Sequence, residues 1–280
     1  MMNDKKDGGL FKLGKYVLMS LYVIFVLAPF VWIAYSSFRL ESNLFAGEFF
    51  SNPGGLTINN YLRALDGANF LDFFINTFII SVITTIIVTF LALLGGYALS
   101  RFDLKFKNQI ILGMLSSQMF PHVLLIIPFF AVMSGFRLLD TYFGIVLTHI
   151  VLGLPFGIWL IKGYFDGVPQ SLDDAARIDG LGSVGILFRI VLPVAAPGVA
   201  VAAFYAFMVS WGDYLFVSII SQSADTRTLT IGLDNFLGAT QIQWGPINAA
   251  TVLTVLPTIV LFAVLQKWIV KGLTSGAVKG

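Results

Sequence analysis

Six apolar stretches of membrane-crossing length, separated by polar segments, leave this chain few ways to fold. They run over about Tyr16–Ser37, Phe73–Leu99, Gln109–Gly135, Thr141–Ile161, Val194–Ile220 and Ile247–Val270. A helix needs about 20 residues to cross the hydrocarbon core of a bilayer. In that core every backbone N–H and C=O must bond within the protein, so spans are helices or closed-barrel strands. The stretches are too long, and too uniformly apolar, for the alternating strands of a barrel. Hydrophobic residues make up 57% of the chain and charged residues 11%, and the mean hydropathy is +0.87. A soluble protein of this length could not hide so much apolar surface. The expectation is an all-α integral membrane protein with six transmembrane helices, no internal repeat and no second globular domain. The first apolar run passes 20 residues without an A-x-A-like end, so no cleavable signal peptide is expected. The chain has no cysteine, which excludes disulfides and thiolate metal sites.

Six spans put both termini on one side, and basic residues decide which side that is. Lys5, Lys6, Lys12, Lys15, Arg101, Lys105, Lys107, Lys162, Arg177, Arg189, Lys267, Lys271 and Lys279 fall with the termini. Arg39, Arg63, Arg137 and Arg227 fall opposite. The termini are therefore expected in the cytoplasm, with the chain multi-pass in the membrane. The expected divisions are a cytoplasmic tail at 1–15, a membrane domain at 16–270 and a cytoplasmic tail at 271–280.

The segment 162–193 is the one long polar insertion that looks built to fold and dock. Within it, Ser171 and Asp174 have capping-box spacing, and Asp173 and Asp174 suit the positive end of a helix. Gly180 is a natural stop, with positive φ at a helix C-terminus. Ser183 can start a second short helix, and Pro193 marks its end or the start of the next element. Leu172, Ala175 and Ala176 are expected on one face, where the small alanines allow another surface to approach closely.

The pattern Asp174-Ala175-Ala176, three residues, Gly180, nine residues, Ile190, one residue, Leu192-Pro193 resembles the EAA signature of binding-protein-dependent ABC importer permeases. Asp174 stands where that family usually has Glu. Ser37-Phe38-Arg39, Asn59-Asn60-Tyr61, Asn76-Thr77, Trp244-Gly245, Ala249-Ala250, Leu256-Pro257 and the ending Gly272–Gly280 are similar to its carbohydrate branch, the maltose-permease (MalG-type) subunits above all. The resemblance implies the type I (MetI-like) importer permease fold and a subunit of a sugar importer. It implies a place in a bacterial inner membrane, a second permease subunit, two ATPase subunits that hold ATP and Mg, and an extracytoplasmic solute-binding protein. It makes Asp173, Asp174, Ala175, Ala176, Gly180, Ile190, Leu192 and Pro193 the ATPase-coupling residues. It also sends Thr274, Ser275, Gly276 and Lys279 of the tail toward the ATPases.

Candidate chemistry within the spans is sparse. Asp213, flanked by Trp211 and Tyr214, is the only carboxylate expected deep in a span, and an ionisable group there is a functional candidate. A carboxylate can accept from a sugar hydroxyl and an aromatic ring can stack on a sugar face, so these three line a candidate solute path. Pro121 and Pro128 free backbone carbonyls and permit a bend that lines the cavity, so Pro121 and the adjoining His122 join the candidate solute path. His122 and His149 have no acid nearby in sequence and make a poor metal site. No G-x-x-x-x-G-K-[ST] is present, so no ATP site, cofactor or metal is expected in this chain, nor a nucleic-acid partner. No H-E-x-x-H is present, and no Ser/His/Asp set is legible, which argues against an intramembrane enzyme. A secondary transporter working alone would show paired ion sites and broken-helix repeats, and the sequence displays neither.

Overall fold

The computed structural model describes residues 9–40, 44, 55–67, 69–237 and 242–277. Among the described residues the chain is helical, and β structure is confined to two isolated bridges, Arg39 with Leu56 and Leu237 with Ile242. The chain divides into two compact units, Met1–Ala68 with Phe236–Leu253, and Asn69–Asn235 with Thr254–Gly280.

In the first unit, α1 (Gly9–Ser37) is an apolar helix with Pro29 inside it. Its end is clipped to α2 (Asn59–Asp66) by polar bonds. Buried Asn60 donates through Nδ2 to the carbonyls of Ser37 and Arg39, at 2.9 and 2.7 Å. The hydroxyls of Ser37 and Tyr61 lie 2.7 Å apart, and the rings of Phe38 and Tyr61 pack at 4.9 Å. Ser37-Phe38-Arg39 and Asn59-Asn60-Tyr61, some twenty residues apart in sequence, thus meet as one structural clip. The sequence Asn52-Pro53-Gly54-Gly55 predicts a turn, and all of it but Gly55 lies outside the described residues. Helix α12 (Trp244–Ala277) begins in this unit, where Ala249 and Ala250 are fully buried, and continues into the second.

The second unit is a bundle built on α3 (Phe70–Arg101), α6 (Tyr142–Asp166) and α9 (Ala196–Trp211). These pack along one another, and α3 meets α6 through small and β-branched residues, Gly96 against Ile161 and Gly157 against Ala92 and Val88, as membrane helices do where close van der Waals contact replaces the hydrophobic effect. A core at one end gathers Leu93, Tyr97, Ile161, Phe165, Ile186 and Val191. A second core gathers Ile80, Ile145, Val146, Phe216 and Ile220.

Among the described residues four helices, α1, α3, α6 and α12, are long and apolar enough to cross a membrane, and the count reaches six if two bent pairs are each one span. The bend in span three falls where Pro121 permits one, and the other falls at the boundary expected around Pro193, at the start of span five. In span three, α4 (Lys107–Gln118) stops before Pro121, a 3-10 turn covers His122–Leu125, and α5 (Ile126–Gly135) leaves at 95°. Pro121 lacks an N–H and disfavours helix at Phe120, which accounts for the break. Pro128 is the third residue of α5, in a first turn where a missing N–H breaks no bond. At the start of span five, α8 (Ser183–Val194) meets α9 at 87°. Pro197 sits just inside the start of α9 and cannot donate back across the corner at Ala195. Span five then ends at Trp211, not Ile220. Gly212–Phe216 is non-helical, and a single turn, α10 (Val217–Ile220), follows. At the far end, α12 runs to Ala277, so the expected tail at 271–280 is helical as far as that residue.

The connection after α10 is tied down by side chains from the bundle. Asp140, with φ of 58°, accepts from the N–H groups of Gln222 and Ser223 at 3.0 Å and from the Thr226 hydroxyl at 2.5 Å. The Thr226 hydroxyl first, then the backbone donors, hold the Asp140 carboxyl well below the usual carboxylate range. Asn76 donates to the carbonyls of Asp225 and Arg227 and accepts from the Tyr142 hydroxyl. Leu229 N–H, opening α11 (Leu229–Gly232), donates to Thr77 Oγ1 at 2.7 Å.

Candidate coupling surface and solute path

Helix α7 (Gln170–Ile178) starts behind Pro169, whose φ of −57° already suits a helix. No side chain caps it, which corrects the expected capping box. The helix begins before Ser171, so the serine is a first-turn residue and not the cap. Asp174 instead pairs with Arg177 at 3.0 Å in an exposed i,i+3 contact. The C-terminus follows the sequence reading. Gly180 has φ of +84°, its N–H donates to the Arg177 carbonyl, and Leu181 N–H donates to the Ala176 carbonyl, both at 3.0 Å. This pair of bonds is a Schellman motif with glycine in the left-handed position.

The faces of α7 differ from the expected ones. Asp173 and Ala176 are buried, whereas Leu172, Asp174, Ala175, Arg177 and Ile178 are exposed. Ala175 and Ala176 therefore point different ways, as neighbours 100° apart around a helix must. Ile178 is 87% exposed and Val184, just beyond the turn, 71%. With the exposed Asp174–Arg177 pair they give this end of α7 a mixed apolar and charged outer surface. Ile190 and Leu192 turn toward the core around Ile186 and Val191, while Pro193 is exposed. Residues Leu187–Val191 form a π-helical turn, a local widening common at functional sites.

Beneath this surface lies a bonded chain that the sequence reading missed. Arg101, the last residue of α3, pairs with Asp173 at 2.8 Å, and their side chains are 4% and 2% exposed. The same guanidinium donates to the Val168 carbonyl at 3.0 Å and to Ser100 Oγ at 3.3 Å. Ser100 donates to Asp166 at 2.7 Å, and Asp166 is held by Lys162 at 2.5 Å. Arg101 stands out in sequence only as a basic residue at a span end, and its partner is 72 residues away.

At the broken end of span five, Asp213 accepts from the N–H of Val217 at 3.0 Å and of Phe216 at 3.4 Å, restarting the helix. It also lies 3.2 Å from Nε2 of His149, whose Nδ1 is 2.8 Å from Ser210 Oγ. An ionised carboxylate only accepts, so Nε2 carries a proton, and in the neutral ring Nδ1 then accepts from the serine hydroxyl. The structure thus brings Ser210, His149 and Asp213 into series, which the sequence concealed, and gives His149 an acid neighbour. His149 and Ser210 are 0% and 2% exposed, so the serine is closed off within the bundle. No group of three or more potential ligands for a metal occurs among the described residues.

The other candidate solute-path residues are dispersed. Trp211 is buried, stacks on Phe207 at 5.2 Å and donates to the Thr254 carbonyl at 3.1 Å, so its ring is committed to packing and not open to a solute. Tyr214 is exposed and donates to Asp234 at 2.8 Å, which raises its phenol above the ordinary value. His122 is exposed beside the bend at Pro121, its ring 6.1 Å from Phe216. Thr274, Ser275 and Gly276 lie in the last turns of α12, and Lys279 lies outside the described residues.

The whole chain has close counterparts. Inner membrane ABC transporter permease protein YcjP of Escherichia coli (strain K12) is 33% identical over 96% of this chain and 97% of its own length. Maltodextrin transport system permease protein MdxG of Bacillus subtilis (strain 168) is 34% identical over 100% of both chains. The fold is that of a chain in the crystal structure of a bacterial ABC transporter involved in the import of the acidic polysaccharide alginate. That match has a TM-score of 0.77 at 23% identity and covers 96% of this chain and 100% of the other. Residues 92–275, which hold both the α7 surface and the broken span, match the family described as the binding-protein-dependent transport system inner membrane component, and the chain belongs to that family.

Proposed function

We propose that this chain is one of two permease subunits of an ABC importer that moves a sugar or oligosaccharide delivered by an extracytoplasmic binding protein. Full-length similarity to a maltodextrin permease supports the solute class. The observation that carries the mechanism is the exposed face of α7, with Ile178 and Val184 standing clear of a glycine-locked turn. In this reading α7 seats in a cleft on an ATPase subunit, and ATP and Mg act there and not in this chain. Closure of the ATPases pushes α7, and the bundle of α3, α6 and α9 changes the side on which its cavity opens. The termini and α7 lie in the cytoplasm, as the distribution of basic residues favours.

The docking claim has a direct test. Ile178→Asp places a charge where the reading seats an apolar side chain. Burying an isoleucine is worth about 1.5–3 kcal/mol, so ATPase attachment should weaken roughly tenfold to a hundredfold. Titration of purified ATPase onto the permease pair in nanodiscs measures it. Unchanged attachment would remove α7 from the contact.

A further inference from the structure

We propose that Arg101 and Asp173 are positioning residues that lock the docking helix α7 to the end of α3. A push on α7 then reaches α3 directly, and not only through the chain joining α7 to α6 and α8. The inference rests on the reading of α7 as the ATPase-docking helix.

The ion pair sits where stability alone does not ask for one. Both side chains are almost wholly buried, against a core that includes Tyr97, Phe165 and Ala176. A buried ion pair commonly stabilises no better than apolar residues of the same volume, because desolvation offsets the attraction. What it supplies that apolar packing does not is direction. The planar guanidinium reaches three separate acceptors at once: Asp173 in the first turn of α7, the Val168 carbonyl in the link before it, and Ser100 in its own helix. The bonds continue through Ser100 to Asp166 and Lys162 in the last turns of α6. The ends of α3 and α6 and the start of α7 are therefore one hydrogen-bonded body whose parts cannot slide past each other.

Two adjacent acids divide the work. Asp174 faces out and bonds only locally to Arg177, whereas Asp173 faces in and holds α3. The helix it holds crosses the bundle and packs against both α6 and α9. Displacing the end of α3 therefore moves the element that shapes the rest of the unit.

The test uses the complete complex, with the second permease, both ATPases and the binding protein, reconstituted in proteoliposomes. The readout is solute taken up per ATP hydrolysed. Asp173→Asn and Arg101→Gln should each lower that ratio about fivefold or more, the lower end of ordinary coupling between sites. Arg101→Lys should fall between these and the unaltered chain. Because removing one partner of a buried pair can cost the fold itself, a third variant is needed. Arg101→Met combined with Asp173→Leu restores apolar packing without directional bonds, and the ratio should stay low while the ATPases remain attached. A normal ratio in that double variant, or in both single variants, would overturn the proposal. Failure of the underlying reading looks different: Ile178→Asp would then leave ATPase attachment untouched.

Discussion

Gly198→Ala should be strongly destabilising. A Cβ at Gly198 would lie 2.1 Å from Cγ of Tyr164, 2.3 Å from its Cδ2 and 2.6 Å from its Cβ. These atoms are at the root of the tyrosine side chain, so no rotation of the ring clears them. The helices α9 and α6 would have to part at the point where α9 leaves its 87° corner with α8. Overpacking commonly costs about 1–3 kcal/mol, and a clash with atoms this close to a backbone sits at the top of that range or above it. Native proteins are stable by only about 5–15 kcal/mol, so the loss is a large share of the total. Heating the detergent-solubilised variant and following its aggregation checks this. Tyr164→Ala in the same chain removes the ring and should restore part of the loss, since Cβ of residue 164 remains. A melting temperature equal to that of the unaltered chain would show that the helices do not cross this closely.

Asp213→Leu should be nearly as damaging, and Asp213→Asn should not. The leucine removes the acceptor of the buried His149 Nε2–H and the cap of Phe216 and Val217 together. An unsatisfied buried donor costs about 1–3 kcal/mol and a lost cap about 1 kcal/mol, so the loss is about 2–4 kcal/mol. Asparagine keeps an oxygen for the cap and for the histidine, and should cost less than about 1 kcal/mol on the same grounds. Thermal inactivation of the two variants separates these outcomes. Uptake against solute concentration then separates the structural role from a solute contact. A displaced curve for Asp213→Asn, with the fold intact, places the carboxylate on the solute path. An undisplaced curve leaves it as the cap that restarts span five.

The contrast between these residues shows what could be read beforehand. Gly180 was legible because its role is local. A helix pattern followed by glycine specifies a Schellman turn within six residues, and its φ of +84° agrees. The bend at Pro121 was legible for the same reason. The break after Trp211 was not. Apolar content says that Val194–Ile220 belongs in a membrane, yet nothing about whether its helix is continuous, and Gly212-Asp213 is a weak stop inside an apolar run. The long-range pairs were invisible in principle. Asp173 and Asp174 are adjacent acids, and which one turns inward is decided by Arg101, 72 residues earlier. His149 likewise found Asp213 only across the bundle, 64 residues on. Motifs noticed by resemblance, such as Asn60 and Asn76, proved to be clips whose amide groups bind backbone carbonyls of distant segments. Their meaning lies in the segments they join, which a single chain of letters does not display.

The central claim is that this chain moves solute only as part of an ATP-driven assembly whose push enters at α7. Uptake of labelled maltodextrin or another oligosaccharide into proteoliposomes tests it most directly. The chain is assayed alone, and then with the second permease, the two ATPases, the binding protein and ATP inside the vesicles. Uptake in the complete assembly, none from the chain alone and none when the ATP is replaced by a non-hydrolysable analogue, is the predicted result. Uptake by the chain alone, driven by an ion gradient and indifferent to ATP, would contradict it.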